Sequence, residues 1–290
     1  MRNILNEILQ ETIGKNLPPI ACVRRVEDRK WNHQAPKVDW SLKHYIRAGD
    51  NSTKVLSHYR SLCDEKYKQH IKILSDGSVN NQGVGLGVHI PFEDSSLQLP
   101  KYCSVFSAEI AALCVTTQIV PIEDHRNIVI FSDSASVLSA IEKGTSRHPW
   151  VQDLEIMTSN HTVLCWIPGH CGITGNNLAD SLAAQGRTGN LWKTTSPGAD
   201  IKRWIKLTFR LSWQDRWDSC RELALRKIKG TVDRWNDNCS RKNQVILSRL
   251  RVGHTRITHQ HYLMSTHREN YRSCNVPLTV EHIIISASNR

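Results

Sequence analysis

The chain has 290 residues, 39% of them hydrophobic, and a formal charge of +11 at pH 7. That is enough for one large domain or two smaller ones around a packed core, while no apolar run is long enough to span a bilayer. The nine cysteines are odd in number, scattered and without a CxxC pair, which excludes a disulfide framework and points to reduced thiols.

The charge is unevenly spread. Residues 1–70 carry 13 Lys and Arg against 8 Asp and Glu, residues 71–187 carry 6 against 11, and residues 188–290 carry 19 against 8. An acidic middle between basic flanks fits a metal-dependent centre flanked by arms that hold a polyanion, although solvated basic helices would give the same totals. Met1–Pro19 is amphipathic with no apolar signal core, so the expectation is an intracellular protein, nuclear or cytoplasmic undecided.

In chain order, residues 1–69 offer one weak helical pattern at Asn3–Ile13, then Pro18 and Pro19, and a polar stretch with Trp31 and Trp40. This part reads as a linker or N-terminal arm, partly ordered. From Ile71 the pattern tightens. Ile71–Ser75 reads as a strand cut off by Asp76-Gly77-Ser78, delivering a carboxylate into a turn at the sheet's end. Gly83–Ile90 reads as a second strand whose glycines suggest close backbone approach, and Leu97–Val105 as a third. Phe106–Val120 has apolar residues at helical spacing with Ser107 as its N-cap. Asn127–Ser132 repeats the first grammar and ends at Asp133, Ser134–Lys143 is a helix closed by Gly144, and Trp150–Ser159 is another short helix. Thr162–Ile167 is a fifth buried strand before Pro168-Gly169-His170, and Asn176–Gln185 a last helix stopped by Gly186. Strands alternating with helices after an initial meander predict an α/β fold, a five-stranded mixed sheet flanked by helices, over residues 70–187. Residues 188–290 read as a basic, mainly helical region containing Trp192, Trp204, Trp213, Trp217 and Trp235. These tryptophans are expected to supply core contacts, with stacking on single-stranded bases as the alternative.

Four acids sit at informative places: Asp76 and Asp133 end strands, Glu109 lies in the first turn of a helix, and Asp180 lies in the last helix. Any one of them alone is as well read as a cap or a solvated group. Together, in apolar surroundings with no Lys or Arg beside the strand ends, they would repel one another unless a divalent cation neutralised them. Oxygen ligands select Mg²⁺ or Mn²⁺ over zinc.

The ordered blocks ILSDGS (73–78 with Asp76), FSAEI (106–110), IFSDSASVLSAI (130–141) and CWIPGHCGITGNNLADSLAAQ (165–185) resemble the type 1 ribonuclease H domain. The form resembled is the one carried by non-LTR retrotransposons of arthropods. The resemblance covers about residues 71–187. LPPI (17–20) resembles the segment that joins reverse transcriptase to this domain, and VILSRLRVGHTRITH (245–259) the block that follows it, so the chain looks like the C-terminal part of a polyprotein.

The resemblance implies that Asp76, Glu109, Asp133 and Asp180 converge on two Mg²⁺ ions, replaceable by Mn²⁺, and cut the RNA strand of RNA–DNA hybrids. Asp76 would bridge both ions, Asp133 and Glu109 would hold one side, and Asp180 would sit on the nucleophile side. One ion would activate the attacking water and the other stabilise the leaving oxygen. His170, on the PGHCGI loop, would assist water positioning or product release. Gly77, Ser78, Asn80 and Ser107 are the expected lining for the hybrid, with Ser134 and Ser136 as phosphate contacts at a helix start; plain caps and turn residues are an equal reading of them. No protein partner is expected. Two departures from the family pattern stand out. Asn177 replaces a family Glu before the last aspartate, and the tail has Tyr271 and Ala287 where a Cys/His cluster would need Cys, leaving Cys274 and His282. Two of four ligands cannot close a zinc site, so no zinc is expected, although His254, His259 and His261 could be recruited. Three competing readings stay open: a nucleic-acid-binding remnant without turnover, a structural spacer, and another nuclease of the same superfold.

Overall fold

A computed structural model of the chain describes residues 19–23, 36–46, 51–120, 126–158, 161–192, 194–221, 223–235, 238–264, 267, 270, 275–280 and 282–283. The helical pattern at Asn3–Ile13, Trp31, and Tyr271, Cys274 and Ala287 of the tail lie outside these residues. The chain divides into two compact units, one formed by residues 10–205 and the other by 206–290 together with 1–9.

The first unit is a mixed sheet of six strands. They are β1 (Lys37–Asp39), β2 (Ile71–Val79), β3 (Val84–Ile90), β4 (Glu93–Leu99), β5 (Ile128–Ser132) and β6 (Thr162–Trp166), in spatial order β1-β6-β5-β2-β3-β4. The first four in that order run parallel, and β2, β3 and β4 form an antiparallel meander. Strand β5 is buried along its whole length, as expected of a strand covered on both faces. Its alternation feeds two cores: Ile128 and Ile130 enter one hydrophobic cluster, Val129 and Phe131 the other. The first cluster lies under α3 (Val105–Ile119) and α5 (Pro149–Met157), and α4 (Ala135–Glu142) adds Val137, Leu138 and Ile141 to it. The second lies under α1 (Ser41–Tyr45), α2 (Ser52–Glu65) and α6 (Thr174–Gly186).

Five strands were expected and six are present among the described residues. The extra strand, β1, has three residues, Lys-Val-Asp, too few to show a period of two in the sequence. It is held by parallel pairing with β6 and by what its last residue binds. Asp39 is buried and accepts from the Ser41 backbone N–H at 2.8 Å, from Lys66 Nζ at 2.7 Å, and from the hydroxyls of Ser41 and Tyr67. Burial works to raise the Asp39 carboxyl, but these hydrogen bonds outweigh it and hold it down at about 2. Thus residues of the stretch read as a linker supply a strand, two helices and the buried side chains Leu42, Val55, Cys63 and Tyr67.

Two further expectations change. Asp76 does not end its strand. The parallel pairing of β2 with β5 stops at Leu74↔Phe131, but β2 runs on to Val79 against β3, pairing Asp76 with Gly87 and Ser78 with Gly85. The turn falls at residues 80–83, where Asn80 Oδ1 accepts from the backbone N–H of Gln82 and of Gly83. Ser104, not Ser107, caps α3: its Oγ accepts from the Ser107 backbone N–H at 3.2 Å, after Pro100 has ended the strand that was expected to reach Val105.

In the second unit α7 (Gly198–Ser219), which begins in the first unit, is followed by α8 (Ala224–Ile228), α9 (Arg241–Val252) and α10 (Arg256–Met264). Gln214 ties α7 to the following loop through Gly230 O at 2.9 Å and the Val232 N–H at 2.8 Å. Trp217 donates to Lys229 O, and Trp235 lies under Lys229 Nζ at 4.3 Å and Arg251 Cζ at 3.6 Å. Trp213 departs from the expected core role: it is 59% exposed. No described helix is long and apolar enough to cross a membrane.

Candidate active site

Three elements bring the site together. Strand β2 carries Asp76, the residue after β5 is Asp133, and α3 carries Glu109 in its second turn. Side chains alternate along β2, so Asp76 and Leu74 share the α6 face while Gly77 and Ile73 face α3. Gly77 is what admits Glu109. A Cβ there would lie 2.5 Å from the Glu109 backbone N and 2.6 Å from Ala108 C, so any side chain would drive α3 away from the sheet. Asp133 is set by the β5–α4 junction: its carbonyl accepts from the Ala135 N–H at 2.9 Å and from Trp166 Nε1 at 3.2 Å.

One carboxylate oxygen from each of Asp76, Glu109 and Asp133 lies within 4.8 Å of the others. Among the described residues this is the group of acidic, His or Cys side chains close enough to share an ion. Burial first, then the neighbouring carboxylates of Asp180 and Asp133, pushes Asp76 up to about 7. Burial first, then Asp76, Asp133 and Asp180, pushes Glu109 up to about 9. Asp133 is also raised, by burial and by Asp180, against the lowering effect of His170 and a side-chain hydrogen bond from Asn176. The Glu109 Oε2 atom is buried and finds no hydrogen-bond partner among the described residues. A buried carboxylate oxygen with no donor, in a cluster of like charges, has the electrostatics of a hard-cation ligand set.

Asp180, at mid-α6, lies outside that 4.8 Å group and acts on it through its charge. Its Oδ2 is 3.3 Å from His170 Nδ1, and its Oδ1 accepts from Asn176 Nδ2 at 3.3 Å. Burial raises the Asp180 carboxyl while His170 lowers it. His170 itself is 87% exposed and adopts a left-handed φ of 54° on the loop between β6 and α6, a conformation that His tolerates better than most residues.

The expected hybrid contacts are placed differently from one another. Gly77 and Ser78 continue β2 beyond Asp76, half-buried. Asn80 is committed to its turn. Ser107 is buried, with its hydroxyl engaged by Ser104 Oγ at 3.0 Å and His148 Nε2 at 3.1 Å. Ser134 precedes α4 without capping it, and its Oγ is 3.4 Å from the exposed Ser136 hydroxyl. Asn177 is exposed.

Sequence reasoning passed over two participants. Asn176 is buried at 1% exposure, donates to Asp180 Oδ1 at 3.3 Å and works to lower the Asp133 carboxyl. Its position one turn before Asp180 was the signal available. Gly169 is the other: a Cβ there would lie 2.5 Å from Asp133 Oδ2, so the loop preceding His170 runs against the acid only because it has no side chain.

The comparison with known families agrees with this geometry. Residues 68–188 match the RNase H family model. The match supports an RNase H domain over that span, and it contains β2–β6, α3–α6 and every acid of the site. No curated protein matches the chain. At the family level an RNase H domain is a hydrolytic nuclease acting on RNA–DNA hybrids, and the family normally uses a divalent metal.

In the second unit the rings of His254 and His259 are 4.0 Å apart and those of His259 and His261 6.0 Å apart, and His259 Nδ1 lies 2.8 Å from Thr258 Oγ1.

Proposed function

We propose that the chain is a Mg²⁺-dependent endonuclease that hydrolyses the RNA strand of RNA–DNA hybrids, of the type 1 form carried by arthropod non-LTR retrotransposons. The observation that carries this reading is the Asp76, Glu109 and Asp133 cluster with its unpartnered Glu109 oxygen, inside the span that matches the RNase H family. The order of the sequence blocks and the flanking segments support the retrotransposon form and a C-terminal fragment of a polyprotein.

The donor set fits hard divalent cations: three carboxylates, no thiolate or imidazole, and no Lys or Arg among them. Asp76, Glu109 and Asp133 would hold the ions, with Asp180 on the nucleophile side. Bound there, Mg²⁺ supplies activation of water and stabilisation of the leaving oxygen. Asp133 is held through its carbonyl by the Ala135 N–H and Trp166 Nε1, and Gly169 leaves room for its carboxylate. His170 meets Asp180 from an exposed loop and would assist water positioning or product release. Gly77 and Ser78 continue β2 beyond Asp76, and their backbone would suit recognition of 2′-hydroxyls rather than bases.

The experiment is cleavage of end-labelled 20-base-pair-scale duplexes of RNA–DNA, RNA–RNA and DNA–DNA by the purified chain with Mg²⁺. Cutting confined to the RNA of the hybrid, leaving 3′-hydroxyl and 5′-phosphate ends, is expected. Equal cutting of all three duplexes would remove the hybrid assignment. Hybrid binding without cutting would favour the binding-only remnant, which the replacement at Asn177 motivates; Asn177→Glu would then be the variant to assay for recovered turnover.

A further inference from the structure

An acidic centre that works on a polyanion needs a fixed cation nearby, because residues 71–187 carry 6 Lys and Arg against 11 Asp and Glu and the field at the cluster opposes an approaching phosphate. Arg187 is such a cation. It caps the end of α6, its Nη1 donates to Ser78 Oγ at 2.8 Å, and its carbonyl accepts from Gln98 Nε2 at 2.7 Å. Its Nε is buried and finds no hydrogen-bond partner among the described residues.

Glycines in β3 create this arrangement. A Cβ on Gly83 would lie 2.6 Å from Arg187 O, one on Gly85 2.4 Å from Arg187 N, and one on Gly87 2.3 Å from Ala179 O. The backbone of α6 therefore rests directly on β3, and its side chains reach across to β2. Gly87 pairs with Asp76 and Gly85 with Ser78. Strand and helix thus run side by side from the acids, Asp76 to Ser78 on β2 and Asp180 to Arg187 on α6. Ser78 lies roughly 7 Å beyond Asp76 along the strand, and Arg187 roughly 10 Å beyond Asp180 along the helix. A guanidinium tethered at one Nη keeps further donors for a phosphate, in the planar fork that suits one.

We infer that Arg187, oriented by Ser78, binds a backbone phosphate of the substrate next to the acidic cluster and so positions the strand to be cut. This rests on the hybrid-nuclease reading. A purely structural Arg187, pinning α6 to β2, would alter stability but would not care whether a given phosphate is charged.

The test uses the full chain carrying Asp133→Asn to prevent turnover, and measures hybrid affinity across a salt series for Arg187, Arg187→Ala and Arg187→Lys. Arg187→Ala should weaken binding about threefold to tenfold near physiological salt and lower the slope of log affinity against log salt by about one. Arg187→Lys should retain the slope and lose only part of the affinity. Hybrids bearing a single neutral methylphosphonate, moved along the backbone, should show one position that costs affinity with Arg187 and nothing further with Arg187→Ala. An unchanged salt slope together with identical methylphosphonate profiles overturns the inference. If Arg187→Ala does not fold, the scan on the Arg187 chain still decides, since a profile with no sensitive position near the cut overturns it. Failure of the Asp133→Asn chain to bind any hybrid would overturn the nuclease reading itself, and this inference with it.

Discussion

Three carboxylates within 4.8 Å of one another are held together at a cost that the metal-free protein carries alone. Their folded-state values are raised, so each prefers its proton in the fold more than in the unfolded chain. Such groups contribute stability that is fully present below the unfolded carboxyl value near 4 and is lost as pH rises through about 7 for Asp76 and about 9 for Glu109. Asp76→Asn should therefore stabilise the metal-free chain at pH 8 by roughly 1–2 kcal/mol, with the gain vanishing near pH 4. Thermal unfolding in EDTA at both pH values checks this, and adding Mg²⁺ should raise the melting temperature of the unsubstituted chain more than that of the variant. Gly169→Ala would place a methyl against Asp133 Oδ2 and should reduce hybrid cleavage by about tenfold or more with little change in hybrid affinity, which single-turnover kinetics separates. At this scale the acids were legible because each is embedded in a distinctive block. Asn176 was less so, although its place one turn before Asp180 was a local signal, and Gly169 was not, since its value lies in a distance to Asp133 across the fold, which no local pattern records.

At the scale of elements, close backbone contact decides where Asp180 sits. Gly87→Ala would bring a Cβ to 2.3 Å from both Ala179 O and Ala183 N, and the helix must shift to accept it. A loss of about 2–4 kcal/mol in denaturant unfolding is expected, with reduced Mg²⁺-dependent cleavage in the fraction that folds. Strand β1 is the other case. Asp39 anchors it, and its depressed value means that its contribution is present above the unfolded value near 4 and is lost as pH falls through about 2. Tyr67→Phe removes one donor to that buried carboxylate and should cost about 1–2 kcal/mol at pH 7, read from the shift of the urea midpoint. Strands β5 and β6 and helices α3 and α6 were readable from apolar runs and helical spacing. β1 was not, because three residues stabilised by distant partners carry no periodicity. The continuation of β2 past Asp76 was hidden for a different reason: Asp-Gly-Ser is turn grammar, overridden here by pairing with β3 and by α6 lying on its glycines.

At the scale of the whole molecule, the charge division follows the function proposed. The acids gather in the first unit, while residues 188–290 hold 19 Lys and Arg against 8 Asp and Glu. Within residues 238–264 there are five Lys and Arg and no Asp or Glu, spread over α9 and α10. Arg241→Glu combined with Arg249→Glu should lower affinity for nucleic acid of any sequence and reduce its salt slope by about two, measurable by fluorescence anisotropy; an unchanged slope would assign these charges to solubility alone. The sequence showed that this region is basic and helical, but its tryptophans could not be sorted. Trp217 and Trp235 are engaged within the unit by Lys229 and Arg251, whereas Trp213 faces outward, a difference set by which helices pack and not by the spacing of the residues.

The most direct measurement is single-turnover cleavage of an RNA–DNA hybrid across a Mg²⁺ titration, for the unsubstituted chain and for Glu109→Gln, with hybrid binding measured in parallel in EDTA. The expected result is cleavage of the RNA strand that needs Mg²⁺ and falls roughly 10²-fold or more in Glu109→Gln, while binding in EDTA persists in both. Cleavage that survives EDTA, or is untouched by Glu109→Gln, would contradict a metal centre built on Asp76, Glu109 and Asp133.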